Sequence, residues 1–224
     1  MAPLQTREWH PAFEEYCEAI FELREDDLDV IQARIAERLD VSRPAVSEMI
    51  RKMEKAGLVS VDAGAIRLTE SGSELAESVV RRHRLAERFL TDILGLSWAV
   101  AHVEAGRWEH VISPTVEDAM MQLLGDPTTC PHGNPIPGTD YIVPIDAVSL
   151  DQLAVGSRFV VARIPEELEF TPGILEFLET SSLLPGHEGT VTAASPDGTT
   201  TVEIEGRHVG IGAFASGRIL VTAA

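Results

Sequence analysis

The chain has 224 residues, 44% of them hydrophobic, with a mean hydropathy of +0.04, so it can bury more than one average core and is not intrinsically disordered. Two cysteines exclude a disulfide scaffold and fit a reducing cytoplasm, no run reaches the ~18–20 apolar residues of a membrane helix, and residues 1–18 show no apolar leader. Eighteen basic against 36 acidic residues give a net charge of −18, which argues against a general nucleic-acid coat protein but leaves room for a DNA reader with its cations on one face.

The first helix is expected to start near Pro11. Phe13, Tyr16, Ile20 and Leu23 share one face, and the acidic Glu25-Asp26-Asp27 ends it. Ile31, Ile35 and Leu39 mark a second helix. After the turn Asp40-Val41-Ser42, Ser42 is a good N-cap, with Pro44 in the first turn of a third helix. That helix turns Val46, Ile50 and Met53 inward and stops at Gly57. Leu58–Val61 and Ile66–Thr69 then read as two short strands around Asp62-Ala63-Gly64. Helix, helix, turn, helix, hairpin is the order of a winged helix-turn-helix, in which the third helix reads DNA. Residues 31–60 hold six basic and four acidic residues, a local +2. Charge alone favours ordinary solvated helix faces; the order of elements tips the reading to DNA binding.

Between Asp126 and Gly138, four prolines and two glycines cannot continue a helix. The sequence before them is rich in Leu, Ala, Glu and Arg. The sequence after Leu150 is rich in Gly, Val and Thr. There Arg158–Arg163, Leu183–Gly186, Thr190–Thr192, Thr200–Ile204, His208–Ile211 and Ile219–Val221 read as strands, with an amphipathic turn at Ile174–Leu178. The expected fold is mainly α with α+β ends. A winged helix-turn-helix (1–75) leads to a helical domain (76–140), a linker (141–149) and a small SH3-like β-barrel (150–224).

Two helical stretches carry metal-ligand chemistry. His83 and Glu87 stand at i, i+4 on one face; His102 and Glu109 stand at i, i+7, with His110 beside Glu109. Neutral imidazole and carboxylate oxygen are standard ligands. One histidine on a helix is usually solvated, and one His–Glu pair is often a surface ion pair. Both pairs on neighbouring helices put a metal site on an equal footing.

Residues 33–59, 81–96 (RRHRLAERFLTDILGL), 104–113 (EAGRWEHVIS) and 133–138 (GNPIPG) resemble the diphtheria-toxin-repressor family of metal-dependent transcriptional regulators, which has iron- and manganese-sensing branches. The resemblance covers nearly the whole chain. It implies a winged helix-turn-helix, a helical dimerisation and metal-binding domain, and an SH3-like third domain. It implies that Glu109 and His110 ligate metal, with His83 and Glu87, and His102 as in the iron branch. Arg84 and Asn134 match residues that hold an anion beside the metal in that branch, where Cys130 replaces the usual serine. Glu15 stands where the iron branch has a methionine, with Glu18 one turn later, as in the manganese branch. Gly106 replaces a cysteine or glutamate ligand; water or Glu18 is expected to fill in, since Glu104 points about 160° away. Cys17 is expected in the core. The ligand set is oxygen and imidazole, suited to Mn(II) or Fe(II), and leans to manganese. In the iron branch the third domain lends ligands. The nearest matches here are Thr171 and Ile174, which do not support that role; Glu167 or Glu169 is the substitute. A packing or proline-motif-binding module is the simpler reading of that domain.

The implied protein is a cytoplasmic homodimer that binds a palindromic operator in double-stranded DNA when metal is bound, and represses genes of metal homeostasis. Ser42, Arg43, Pro44 and Ser47 open the recognition helix and are assigned to phosphates and base edges, with Arg43 suited to guanine O6 and N7. Three alternatives stay open: an iron-specific regulator of iron uptake, a metalloenzyme with an open position at Gly106, and a metal-insensitive DNA binder with a degraded site. No nucleophile motif and no phosphate-cradling loop favours an enzyme.

Overall fold

The structure is a computed structural model that describes residues 11–224; the reading of an absent leader falls partly on residues 1–10, outside the described part. The described residues form two compact units that divide between Val80 and Arg81.

In the first unit, α1 (Pro11–Glu25), α2 (Gln32–Arg38) and α3 (Arg43–Ala56) precede a hairpin of β1 (Val59–Asp62) and β2 (Ala65–Leu68) and the start of α4 (Glu70–Arg88). Tyr16, Ile20 and Leu23 from α1, Ile35 from α2, and Val46, Ile50 and Met53 from α3 close one core with Leu58 and Ile66. The spacing in the sequence therefore places the correct faces inward. Ser42 is extended and its Oγ accepts from the Ala45 amide at 3.3 Å, while Gly57 ends α3 in the left-handed conformation at φ 78°. The strands pair antiparallel from Val59↔Leu68 to Asp62↔Ala65, each shifted one residue toward the turn from the limits expected from sequence. Ala63 (φ 49°) and Gly64 (φ 89°) make the tight turn of the wing. Thr69 joins the wing to α4: its Oγ1 donates to the Gly57 carbonyl and accepts from the Gly72 amide.

A buried ion pair joins α1 and α2 of this unit. Arg38 Nη1 is 2.8 Å from Glu22 Oε2, and both side chains are buried. Arg38→Met, which removes this ion-pair partner from a buried carboxylate, is expected to destabilise the first unit by about 3 kcal/mol, measured by urea denaturation. An unchanged midpoint would contradict that.

The second unit begins with the rest of α4. A π-helical turn at Phe89–Ile93 follows, then α5 (Trp98–Trp108) and α6 (Pro114–Leu123). Leu85, Leu90, Ala101, Ala105, Ile112 and Met120 form the helical core. After an irregular stretch come β3 (Val148–Ser149), β4 (Arg158–Arg163), the short helices α7 (Glu166–Glu169) and α8 (Ile174–Thr180), β5 (Glu188–Ala194), β6 (Thr200–Ile204), β7 (Arg207–Ile211), α9 (Ala213–Ser216) and β8 (Leu220–Ala223). The sheet order is β3-β8-β4-β5-β6-β7, all antiparallel. Phe159, Val161, Val191, Val202, Ile204, Ile211 and Val221 fill its interior, and Trp98 from α5 joins the same core.

The expected strand at Leu183–Gly186 is not formed. Leu183 is buried, but Gly186 sits at φ 88° and only its amide reaches the sheet, donating to the Val161 carbonyl at 2.8 Å. A Pro-Gly pair breaks the run, so a buried and a half-buried leucine do not make a strand. The stretch from His102 to His110 is likewise not one helix: α5 stops at Trp108, so Glu109 and His110 follow its last turn.

Candidate metal centre

Four segments of the second unit converge on one buried cluster. On α4, the i, i+4 spacing sets His83 Nε2 3.3 Å from Glu87 Oε1. From α5, His102 Nδ1 comes within 3.0 Å of the same Glu87 oxygen and 3.3 Å of His83 Nε2. The loop around residues 130–134 brings Cys130 and His132. From α7, Glu169 Oε2 reaches His132 Nδ1 at 2.9 Å and His102 Nδ1 at 3.3 Å. The side chains of Glu87, His132 and Glu169 are wholly buried. The other nitrogen of His83, Nδ1, is held by Glu109 Oε2, and His110 Nε2 lies 3.2 Å from Glu109 Oε1.

Local structure explains why the loop reaches in. Gly133 sits at φ 88°, and a Cβ there would lie 2.5 Å from the Ala162 carbonyl oxygen. Only glycine lets the loop press against β4, where the Ile164 amide donates to the His132 carbonyl at 2.8 Å. Asn134 Nδ2 donates to the Ile164 carbonyl (3.0 Å) and to Glu169 Oε1 (2.7 Å), which fixes that carboxylate. On α4 the π turn opens the backbone directly after Glu87 and Arg88, and Thr91 Oγ1 donates to the Glu87 carbonyl at 2.9 Å.

The expected anion partners are both engaged by carboxylates of the chain itself. Arg84, wholly buried, donates to Glu166 Oε1 through Nε (3.2 Å) and Nη2 (3.0 Å) and to the Pro135 carbonyl through Nη1. Asn134 meets Glu169. The residue next to these, Glu167, turns to the surface and pairs with Arg218.

The buried charges balance one another. Burial alone would lower the His83 pKa, but the Glu87 charge and the Glu109 hydrogen bond hold it well above the ordinary value. His132 behaves likewise: burial opposes its charge, and Glu169 and Glu87 outweigh burial. For His102 burial is again overcome, by hydrogen bonding to the Glu169 and Glu87 carboxylates, and the pKa rises to about 10. Burial pushes the Glu87 carboxyl up, yet the His132 and His83 charges carry it well below the usual range. Glu169 is lowered too, with burial opposing and His132 prevailing. Burial and the Glu87 charge raise the Cys130 thiol.

The cluster fits a divalent cation. Ligand bonds of about 2.1 Å imply donor–donor edges of roughly 3.0 Å in an octahedron and 3.4 Å in a tetrahedron. The His83, Glu87 and His102 donor atoms are 3.0–3.3 Å apart. Two donor triads converge within one ligand sphere each, His83–Glu87–His102 and Glu87–Cys130–His132. Glu87 Oε2, Glu169 Oε2 and both His132 nitrogens are buried without a hydrogen bond of good geometry, as donors aimed at a cation would be.

The structure thus groups His83, Glu87 and His102, with Glu109 and His110 joined through His83. Glu15 and Glu18 lie one turn apart on α1 of the first unit, Glu15 exposed. Cys17 is in the core of that unit. At Gly106 an added Cβ meets nothing within 4 Å, so the position has room for a side chain. Glu104 is engaged by Arg107, three residues on. Sequence reasoning missed His132 and Glu166 and treated Cys130 only as a replaced serine. A Cys-x-His pair abutting GNPIPG is the signal that was present. On α3, Ser42, Arg43 and Pro44 are exposed and Ser47 is half-buried, its Oγ 3.1 Å from Arg51 Nη2.

A winged helix-turn-helix joined to helices that bury an imidazole–carboxylate cluster, with a small β-barrel behind them, defines a metal-responsive DNA-binding regulator. Residues 10–63 match the family model for the N-terminal DNA-binding domain of iron-dependent repressors, 69–138 that for their metal-binding and dimerisation domain, and 148–223 that for the FeoA domain. The iron-dependent repressor IdeR of Mycobacterium tuberculosis is 39% identical over 206 residues, 87% of this chain and 89% of the relative. The diphtheria toxin repressor of Corynebacterium diphtheriae is 48% identical over 130 residues, 58% of each chain. A solved structure of a manganese-dependent transcriptional repressor with manganese is 35% identical, with a TM-score of 0.83 over 95% of this chain and all of that one. The chain belongs to the diphtheria-toxin-repressor family of metal-dependent transcriptional repressors.

Burial and the nearby Glu14 charge push the Cys17 thiol up to about 12. Alkylation of Cys17 by iodoacetamide at neutral pH is therefore expected to be at least tenfold slower in the native protein than in urea. Equal rates, followed by peptide mass spectrometry, would contradict its placement.

Proposed function

We propose that the chain is a homodimeric repressor, activated by Mn(II) or Fe(II), that binds a palindromic operator and controls genes of metal-ion homeostasis in the cytoplasm. The observation that carries this reading is the buried His83–Glu87–His102 set, braced by Glu109, in a chain whose first unit is a winged helix-turn-helix. Kinship supports both metals, since the relatives include an iron-dependent repressor and a manganese-dependent one. Among the described residues no helix is long and apolar enough to cross a membrane.

Residues 1–75 are the DNA-binding part, 76–140 the dimerisation and metal-binding part, 141–149 a linker, and 150–224 the SH3-like part. Glu15, Glu18, His83, Glu109 and His110 hold the activating cation. His83, Glu87 and His102 hold an ancillary one. Arg84 and Asn134 keep their anion-binding role, with Glu166 and Glu169 standing where a free anion would. A bound cation supplies positive charge that gathers these carboxylates and imidazoles. Activation requires that the donors meet better in the DNA-competent arrangement than in others, because a ligand shifts an equilibrium only by its differential affinity.

On DNA, the Ser42 and Ser47 hydroxyls and the N-terminal turn of α3 meet phosphates, Pro44 sets that turn, and Arg43 pairs with guanine. A two-fold dimer then presents two such helices to the two halves of a palindrome. The role is regulatory, not catalytic.

Glu109→Ala and His110→Ala are expected to abolish metal-stimulated operator binding while circular dichroism and sedimentation still report a folded dimer. Full activation in either variant would overturn the ligand assignment. Arg43→Ala is expected to weaken operator binding by ~1–3 kcal/mol and relax specificity at one base pair in each half-site. Unchanged specificity would remove Arg43 from base reading.

A further inference from the structure

The buried cluster holds six donor residues, and its two donor triads share a carboxylate. His83 and His102 form one side, Cys130 and His132 the other, and Glu87 belongs to both triads. The Glu87 oxygens are divided between them. Oε1 faces His83 Nε2 and His102 Nδ1 at 3.3 and 3.0 Å, while Oε2 faces His132 Nδ1 at 3.6 Å. Glu169 is divided in the same sense, with Oε2 3.3 Å from His102 Nδ1 and 2.9 Å from His132 Nδ1. Asn134 holds the remaining Glu169 oxygen in place. Four buried atoms without a hydrogen bond of good geometry lie at this junction, Glu87 Oε2, Glu169 Oε2 and the two nitrogens of His132, with Glu169 Oε2 and His132 Nδ1 held against each other as an ion pair.

We propose that this cluster is one two-cation centre, with Glu87 and Glu169 shared between a nitrogen–oxygen position at His83 and His102 and a sulfur-containing position at Cys130 and His132. The inference rests on the reading of His83, Glu87 and His102 as a metal site and adds the second position and the sharing. Charge supports the pair. Two dications meet two carboxylates and, once its proton is released, the Cys130 thiolate, so +4 is set against −3 with three neutral imidazoles as ligands. A single dication would leave one side of the cluster held by its imidazole–carboxylate pairs alone. The positions differ in chemistry. The His83–His102 side suits Mn(II) or Fe(II), whereas a thiolate beside imidazole draws Zn(II), Co(II) or Fe(II) in preference to Mn(II).

The test uses the full chain in a His110→Ala background, which weakens the activating site, and Co(II) as the probe under anaerobic conditions. Bound cobalt is counted after equilibrium dialysis, the near-ultraviolet thiolate-to-cobalt band is recorded, and electron paramagnetic resonance reads coupling between ions. Two Co(II) per chain, a thiolate band and a coupled signal are expected. Cys130→Ser, close in size to the native residue, is expected to lose the band, the coupling and one ion. His102→Ala is expected to keep the band and lose the other ion. His132→Gln should match Cys130→Ser. One ion without a thiolate band, unaltered by Cys130→Ser, would overturn the proposal while leaving the His83–Glu87–His102 site intact. One ion that keeps the band and is lost in both Cys130→Ser and His102→Ala would replace the pair by a single mixed site. Two ions without coupling would overturn the sharing. No cobalt at the cluster would overturn both this inference and the ancillary site beneath it.

Discussion

Two carboxylates, Glu87 and Glu169, are buried side by side, and most of the second unit is arranged around that fact. Taking a carboxylate out of water costs several kcal/mol, and a neighbouring one adds repulsion. The cost is offset only if cationic or metal-bound groups surround them. His83 and His102 must therefore come from α4 and α5, and His132 from a loop that only Gly133 lets approach β4. Glu169 itself comes from α7 in the barrel region, so the barrel is tied to the helices by charge as well as by the packing of Trp98. Arg84 and Glu166 repeat the logic next door: each is buried, and each is the other's counter-charge. Removing one member of such a group leaves the rest buried and unbalanced, which gives the cluster its specificity for one arrangement.

The first unit was largely legible in the sequence because its signals are local. Ser42, Pro44 and Gly57 bound α3 by capping rules that act within a few residues, and the apolar spacing of α1 and α3 fixes their inner faces. His83 and Glu87 were legible for the same reason, one helical turn apart. His132 was not, since a loop has no periodicity to mark which side chain points inward. Glu166 and Glu169 meet residues more than 30 positions away, at distances that only the folded barrel creates. The strand expected at Leu183–Gly186 failed because hydrophobicity was read without giving the Pro-Gly break its weight. The family resemblance placed Thr171 and Ile174 where ligands would be, whereas the carboxylate that reaches the cluster is Glu169, two residues before Thr171 on a short helix.

The charge pattern bears on how DNA is approached. A chain of −18 repels phosphate, so binding away from the operator is weak and operator binding rests on a small basic surface. Arg43, Arg51, Lys52 and Lys55 are exposed along α3, and Lys52 is partly occupied by Glu48 at 2.8 Å. Cations bound by the carboxylates of such a chain change its net charge and its conformational balance together. Both effects favour DNA, and metal responsiveness therefore suits an acidic repressor better than a basic one.

The most direct test of the account is an anaerobic fluorescence-anisotropy titration of the wild-type dimer on fragments enriched from its own genome, with Mn(II), Fe(II) or Zn(II) and with a chelator. The account predicts that Mn(II) or Fe(II) tightens binding at least tenfold and that chelator reverses it. Tight binding that is indifferent to metal and chelator would contradict it.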